Sequence, residues 1–185
     1  MALGATIHVF IVRLAHVDRG VYETLDLRLA RHPSETAEYL VTRLLAYCLE
    51  YTPGIAFSKG LSEPDEPAVV VRDLTGALEA WIEVGAPEAT RLHKASKAAP
   101  RVAVYPHRDT HAWLARLAGE RIHQADRIEL QIIQPALITA LAARLERRMD
   151  FDLSVSEHAL YVSCGDETLT GAVEQRALVP GPQRN

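Results

Sequence analysis

The chain has 185 residues, a formal net charge of −4 and two cysteines, Cys48 and Cys164. A chain of this length can bury a complete core without metal or disulfide help, so we predict a single domain over residues 1–179. The acidic balance argues against a generally basic nucleic-acid coat protein, and the absence of CxxC or CxxH spacing argues against a zinc ribbon or a disulfide framework.

The sequence shows no sign of export or membrane insertion. Residues 1–14 lack a basic region followed by a long apolar run, and no segment reaches the roughly 18 apolar residues of a membrane span. We therefore expect a soluble cytoplasmic protein without a membrane partner.

The first quarter of the chain predicts a hairpin and then an amphipathic helix. Apolar residues alternate with polar ones over residues 5–14 and 21–29, and residues 17–20 lie between them as a turn. Ser34 is the expected N-cap of the helix that follows. Apolar residues recur at helical spacing from Ala37 to Leu49, until Thr52-Pro53-Gly54 ends the pattern.

The next elements predict a second hairpin and a crossover. Residues 55–58 form a short strand, and residues 59–67 are rich in Pro, Gly, Ser and acids, which is typical of a loop. Strands over 68–72 and 78–84 pair through a turn at Thr75-Gly76. A helix over 88–99 and a strand over 101–105 then imply a parallel pairing.

The last part of the chain alternates helical and β patterns. We predict a helix over 109–117, a strand over 127–133, a helix over 135–148, and β-structure over 153–164 and 168–176. Residues 180–185 are expected to be a disordered tail. The whole pattern predicts an α/β fold with a mixed β-sheet flanked by helices.

The strand over 78–84 carries the strongest functional candidate. Its alternation places one face in a core and leaves Glu79, Trp81 and Glu83 on the other. Glu79 and Glu83 stand roughly 13 Å apart at the usual rise, which is too far to share one metal ion. Glu83 ends the strand where loops converge, so it is the better candidate. Arg91 and Lys94 share one side of the next helix, although a charged side is more often a solvated one.

Six further residues have both a structural and a functional interpretation. Carboxylates such as Glu35 and Glu38 stabilise a helix start without any catalytic duty, and helical phase places Glu38 beside the apolar stripe and Glu35 opposite it. Acids in a loop are normally solvated, and polar residues before a helix often serve only as caps. The residues concerned are Glu35, Glu38, Asp65, Glu66, Arg31 and His32.

Several enzyme classes are disfavoured because their motifs are missing. The sequence has no GxSxG elbow, no phosphate-cradling glycine loop and no HExxH or similar histidine spacing. Serine hydrolases, P-loop enzymes and zincin proteases are therefore poor matches.

Five segments taken together resemble the YaeQ family of bacterial proteins over nearly the whole chain. They are ARHPSET at 30–36, FSKGL at 57–61, DEP at 65–67, WIEVGAP at 81–87 and RLHKA at 91–95. The resemblance implies a variation of the PD-(D/E)XK restriction-endonuclease-like fold. The predicted order of helix, hairpin, helix and strand over residues 34–105 agrees with that fold.

The resemblance also implies a metal-dependent nuclease site. In this superfamily carboxylates hold Mg²⁺ or Mn²⁺, and a lysine orients or helps to activate the attacking water. Pro64-Asp65 matches the first acid and Glu83 matches the acid of the third strand, with Glu66, Glu38 and Glu35 as further candidate ligands. Val84 and Gly85 follow Glu83, so the usual Glu-x-Lys lysine is missing. Lys94 is the expected substitute, and Arg91 is the expected anion-binding neighbour.

The resulting expectation is a Mg²⁺- or Mn²⁺-dependent phosphodiesterase acting on a nucleic acid or nucleotide. Glu83, Asp65 and Lys94 would be its catalytic residues, and Arg31, His32 and Arg91 would bind the substrate. The competing hypothesis is a catalytically inactive module that keeps the scaffold and meets a protein or nucleic-acid partner through the same cleft. Binding of a divalent metal separates the two.

Overall fold

The computed structural model describes residues 4–58 and 65–178. The predicted tail over 180–185 and most of the predicted loop over 59–67 lie outside the described residues. The elements, in chain order, are β1 Thr6–His16, β2 Val21–Arg31, α1 Ala37–Leu49, β3 Ile55–Phe57, β4 Val69–Arg72, β5 Leu78–Val84, α2 Ala89–Ala98, β6 Arg101–Tyr105, α3 His111–Leu117, β7 Glu129–Ile133, α4 Pro135–Ala142, β8 Arg148–Ser156, β9 Ala159–Cys164 and β10 Glu167–Ala177.

The strands of the described residues form one mixed sheet in the order β2-β1-β8-β9-β10-β7-β6-β5-β4-β3. The predicted mixed sheet is therefore confirmed. Both predicted hairpins are antiparallel pairs, β1 with β2 and β4 with β5, and the predicted crossover makes β5 and β6 parallel. A parallel pairing of β8 with β1 ties the C-terminal part of the chain to the first hairpin.

Helix α1 lies inside the curve of the sheet. It contacts the two edge strands, β2 and β3, and also β4, β5, β6 and α4. Because one helix touches both edges, the sheet wraps round it and is nearly closed. The predicted apolar stripe explains this position, since Leu40, Leu44, Leu45 and Cys48 are all buried.

The N-cap of α1 is Thr36 and not the predicted Ser34. Thr36 Oγ1 accepts a hydrogen bond from the Tyr39 amide at 3.1 Å, as an N-cap hydroxyl does. Ser34 instead hydrogen-bonds His32 Nδ1 through its hydroxyl at 2.6 Å. Both residues have suitable side chains, and the turn over residues 32–35 determines which one reaches the helix start.

Strand β5 separates two cores. Ala80, Ile82 and Val84 belong to the larger core around α1, whereas Trp81 packs with α2 and α3 in a smaller one. Glu83 lies on the same face as Trp81 and is only 4% exposed. The face that the sequence left open is therefore covered by α2.

Two C-terminal predictions differ from the structure. The predicted helix over 135–148 ends at Ala142, after which the amides of Arg144 and Leu145 bond to carbonyls only three residues back and the chain enters β8 at Arg148. The β-structure predicted over 153–164 is part of two strands, which turn through positive φ at Glu157 (51°) and His158 (63°). Asp18 accepts hydrogen bonds from both of these amides, which stabilises the turn.

None of the helices in residues 4–58 and 65–178 is long and apolar enough to cross a membrane. The single domain over 1–179 and the cytoplasmic location stay predictions.

Candidate functional site

Glu83 is a buried carboxylate at the end of β5, held by two donors. Trp81 Nε1 and Arg91 Nε each donate to Glu83 Oε1 at 2.6 Å. The Arg91 guanidinium also lies over the Trp81 ring, 5.9 Å from its centroid. Burial raises the pKa of Glu83, and the bonds from Trp81 and Arg91 act against that shift. The three side chains therefore form one unit that supports a charged carboxylate in the smaller core.

Asp65 and Glu66, in the loop before β4, contact Lys94 and Arg91 of α2. Lys94 Nζ forms an ion pair with the Asp65 carboxylate, and this contact is the main cause of a lowered pKa for Asp65. Arg91 Nη2 donates to the Glu66 carbonyl oxygen at 2.6 Å. Asp65, Glu83, Arg91 and Lys94 thus lie at one corner as two ion pairs, while Glu66 takes part through its backbone. Their catalytic and metal-binding roles stay predictions.

Strand pairing and helical spacing explain this convergence. In the antiparallel pair of β4 and β5, Val69 lies opposite Ile82, so the start of β4 is beside the end of β5. Arg91 and Lys94 are three residues apart on α2 and therefore share one side, next to the core positions Leu92 and Ala95. The loop, the strand end and the helix consequently share one corner of the fold.

Glu35 occupies a different, fully buried ion pair. Arg43 Nη1 lies 3.3 Å from Glu35 Oε1, and Arg43 Nη2 donates to the Ala30 carbonyl at 2.7 Å. The prediction from helical phase, that Glu35 lies opposite the apolar stripe of α1, does not apply because Glu35 precedes the N-cap Thr36 and is outside the helix. Burial raises its pKa although Arg43 lowers it, and Glu35 Oε2 has no hydrogen-bond partner in the part of the chain that the structure describes.

Tyr39 connects the surroundings of Glu35 and Glu83. Burial is the main cause that raises the pKa of Tyr39 to about 12, and the charges of Glu35 and Glu83 both contribute to the rise. The charges of Glu35 and Glu83 therefore both affect the Tyr39 hydroxyl, although Glu35 is paired with Arg43 and Glu83 with Arg91. Tyr39 was not among the sequence candidates, since an aromatic residue at helical spacing resembles an ordinary core position.

The remaining candidates make local contacts. Arg31 Nε donates to the Glu35 carbonyl at 3.0 Å, and His32 bonds to Ser34, so both shape the turn before α1. Glu38 is half-buried, and its charge acts on His107, whose pKa is lowered mainly by burial. Substrate binding by Arg31 and His32 and metal binding by Glu38 stay predictions.

A cavity of about 310 Å³ adjoins the end of β5. Gly85, which follows β5, lines this cavity together with His107 and Arg108 from the segment after β6 and Arg116 from α3. Gly85 has φ +102°, and a Cβ there would lie 3.5 Å from the Tyr39 ring and 3.7 Å from the His107 ring. Sequence reasoning did not select these residues. The available signal was the parallel pairing, because β5 and β6 end at the same edge of the sheet.

The oxygen donors at this corner suit a hard divalent cation. Asp65 and Glu83 offer carboxylates, and the Glu66 carbonyl lies beside Arg91. In the described ranges, no three or more His, Cys, Asp or Glu side chains are grouped to hold a metal ion. Mg²⁺ is often held by only one or two carboxylates together with waters and substrate phosphates. An ion at this corner would have to compete with Arg91 and Lys94 for the two carboxylates.

Comparison with known proteins gives one consistent family. The sequence profile of the family described as YaeQ protein matches residues 1–173. The uncharacterised YaeQ proteins of Salmonella typhi and Escherichia coli K12 are 31% and 30% identical to the chain over 165 residues, which is 88% of this chain and 91% of each relative.

Two crystal structures resemble the whole fold. The YaeQ protein of Pseudomonas syringae superposes with a TM-score of 0.83 at 31% identity and covers 92% of this chain and 95% of its own. The YaeQ protein of Xanthomonas axonopodis pv. citri superposes with a TM-score of 0.84 at 29% identity and covers 96% and 99%.

Proposed function

The chain belongs to the YaeQ protein family, and we propose that it is a Mg²⁺- or Mn²⁺-dependent phosphodiesterase that acts on a nucleic acid or a nucleotide. The observation that carries the proposal is the meeting of Glu83 and Asp65 with Arg91 and Lys94 at one corner of the sheet. Acids that can hold a metal, next to cations that can offset phosphate charge, are the groups that phosphodiester hydrolysis needs.

The order of elements supports a variation of the PD-(D/E)XK architecture as the core of this site. Helix α1, the antiparallel strands β3, β4 and β5, helix α2 and the parallel strand β6 follow one another along the chain. This is the order of helix, hairpin, helix and strand that the family resemblance implies, with Glu83 at the end of its third strand.

Each residue at the corner has a distinct role in this proposal. Glu83 and Asp65 would hold the metal, which when bound polarises the phosphate and activates water. Lys94 holds its ammonium beside Asp65, where it can orient the attacking water in place of the missing strand lysine. Arg91 would bind a phosphate oxygen when it leaves Glu83. Arg108 and Arg116 add positive charge to the adjoining cavity, whose lining also includes Asp109.

A catalytically inactive binding module is the second candidate. The observation that favours it is that both acids already have a cationic partner, Glu83 with Arg91 and Asp65 with Lys94. Satisfied ion pairs of this kind can hold a scaffold together without a metal. A protein or nucleic-acid partner would then bind at the same corner.

Calorimetric titration with Mn²⁺, followed by turnover of a panel of DNA, RNA and dinucleotide substrates, tests the proposal. Glu83→Gln keeps the side-chain shape and removes the charge, and exposed Glu79 on the same strand supplies the matched control, Glu79→Gln. We expect Mn²⁺ binding and turnover in the wild type and the control, and a loss of about 100-fold or more in Glu83→Gln. A wild type that neither binds Mn²⁺ nor turns over any substrate would favour the binding module.

A further inference from the structure

A second cavity, of about 410 Å³, lies on the opposite face of the sheet from Glu83. Arg101 and Tyr105 line it from β6, whereas the intervening Val102 and Val104 pack in the α2 core beside Trp81 and Glu83. The end of α1, the turn after β1 and strands β7, β8 and β10 complete the lining. This volume lies within the usual range for small-molecule pockets, about 300–1,000 Å³.

The cation at the centre of this cavity is already engaged. Arg101 donates to Glu50 Oε2 at 2.6 Å, to Glu129 Oε2 at 2.5 Å and to Glu129 Oε1 at 2.9 Å. The Tyr105 hydroxyl donates to Glu50 Oε1 at 2.6 Å. A guanidinium bound to two carboxylates has little capacity left for an anionic ligand.

The charges around the cavity favour a cation. Three carboxylates, Asp18, Glu50 and Glu129, line it together with two guanidiniums, Arg19 and Arg101, and two histidines, His16 and His158. With neutral imidazoles the carboxylates outnumber the cations by one. Arg19 donates to the Leu49 carbonyl at 2.7 Å, at the C-terminal end of α1. This helix end adds partial negative charge to the same place.

Two buried side chains in the lining lack hydrogen-bond partners. Gln131 is 5% exposed; its Nε2 donates to Glu129 Oε2 at 3.3 Å, but its Oε1 has no partner among the described residues. His16 is 7% exposed, and its Nδ1 is likewise unpartnered within the described ranges. Buried polar atoms are nearly always paired, so these two atoms are available to a ligand that enters the cavity. Gln131 Oε1 can only accept, and it therefore requires a donor.

We propose that this cavity binds a small organic cation through an ammonium or guanidinium head group. The N–H groups of the ligand would meet Gln131 Oε1 and the outer lone pairs of Glu129, and its charge would offset the excess carboxylate. The site is separate from the Glu83 corner because the sheet lies between them. Occupancy of the cavity and phosphodiester hydrolysis can therefore succeed or fail independently.

Four probes with four-carbon chains test this proposal on the full-length protein. Putrescine carries two ammonium groups and agmatine carries an ammonium and a guanidinium, whereas 1,4-butanediol is neutral and succinate is anionic. Binding is measured by calorimetry, and the Gln131 side-chain amide is followed by ¹⁵N NMR. We expect putrescine or agmatine to bind and to shift the Gln131 signal, and we expect no binding of the diol or succinate.

Two cavity variants and one matched control establish the location. Glu129→Gln removes a half-exposed charge, and Gln131→Leu removes the unpartnered oxygen. Each of these variants should weaken binding of the cation at least tenfold. The control Glu79→Gln lies outside the cavity and should leave binding unchanged. Should Gln131→Leu fail to fold by circular dichroism, Glu129→Gln still decides the result. Tighter binding of succinate, absence of binding by both cations, or equal affinity in Glu129→Gln and Glu79→Gln would overturn the proposal.

Discussion

Arg91 Nε lies 2.6 Å from Glu83 Oε1, in an ion pair whose acid is 5% exposed and whose cation is 29% exposed. Loss of the cation would leave a carboxylate buried without its charge partner. We expect Arg91→Ala to lower the free energy of unfolding by about 2–3 kcal/mol, below the value for a fully buried pair because Arg91 is part-exposed. Urea unfolding measures this change, with exposed Arg116→Ala as a control expected within about 0.5 kcal/mol of wild type.

A double-mutant cycle shows whether that loss comes from the pair itself. In a Glu83→Gln background the buried charge is absent, so Arg91→Ala should cost less than it does in the wild type. Strictly additive effects of the two substitutions would mean that Arg91 stabilises the fold through contacts other than the Glu83 pair, such as its packing on Trp81 and its hydrogen bond to the Glu66 carbonyl.

Lys94 should separate activity from stability. It is 54% exposed and its partner Asp65 is 80% exposed, and exposed ion pairs contribute little to folding. In the proposed phosphodiesterase, Lys94→Ala should therefore leave the urea midpoint nearly unchanged while turnover falls about 100-fold or more. Lys97→Ala, one turn further along α2 and also exposed, is the control. Equal turnover in the two variants would remove Lys94 from the site.

Arg43 and Glu35 should behave as a structural pair. Their side chains are 2% and 1% exposed, so Arg43→Met would leave an uncompensated buried carboxylate and cost about 3–5 kcal/mol in unfolding free energy. The double variant Arg43→Met/Glu35→Leu should recover most of this loss, because buried ion pairs contribute little over apolar residues of similar volume. If Glu35→Gln instead abolishes Mn²⁺ binding at unchanged stability, Glu35 is a metal ligand and not a structural partner.

The sequence pattern predicted correctly those elements whose formation depends on residues close to them in the sequence. The alternation in β1 and β2, the apolar stripe of α1 and the turn between β4 and β5 each depend on neighbours in sequence, and all three are found. The end of α4 was missed because Leu145 continues the helical spacing. What ends the helix is the parallel pairing of β8 with β1, whose residues lie far away in the sequence.

The same distinction holds for the candidate sites. Hairpin geometry alone predicts that the Asp65 loop lies near Glu83, and helical spacing places Arg91 and Lys94 on one side of α2. The network of Arg101, Glu50 and Glu129 has no such signal. Its members are isolated charges on three elements. The parallel pairing of β6 with β7 brings Arg101 beside Glu129, and the packing of α1 on the sheet adds Glu50.

Two histidines should make the protein less stable in mild acid. Burial is the main cause that lowers the pKa of both His16 and His107 from the ordinary value of 6.5. Below that pH the unfolded chain binds more protons than the folded one, so the stability that depends on the neutral rings is present above pH 6.5 and is lost as the pH falls.

Urea midpoints at pH 7.5 and 5.5 measure this loss. The double variant His16→Asn/His107→Asn should lose less stability between the two pH values than the wild type, whereas exposed His111→Asn should lose as much as the wild type. Burial raises the pKa of Glu35 and Glu83, which acts in the opposite direction, but all the variants retain both acids and the comparison subtracts their effect. An equal loss in the double variant and the wild type would show that neither imidazole is held neutral by the fold.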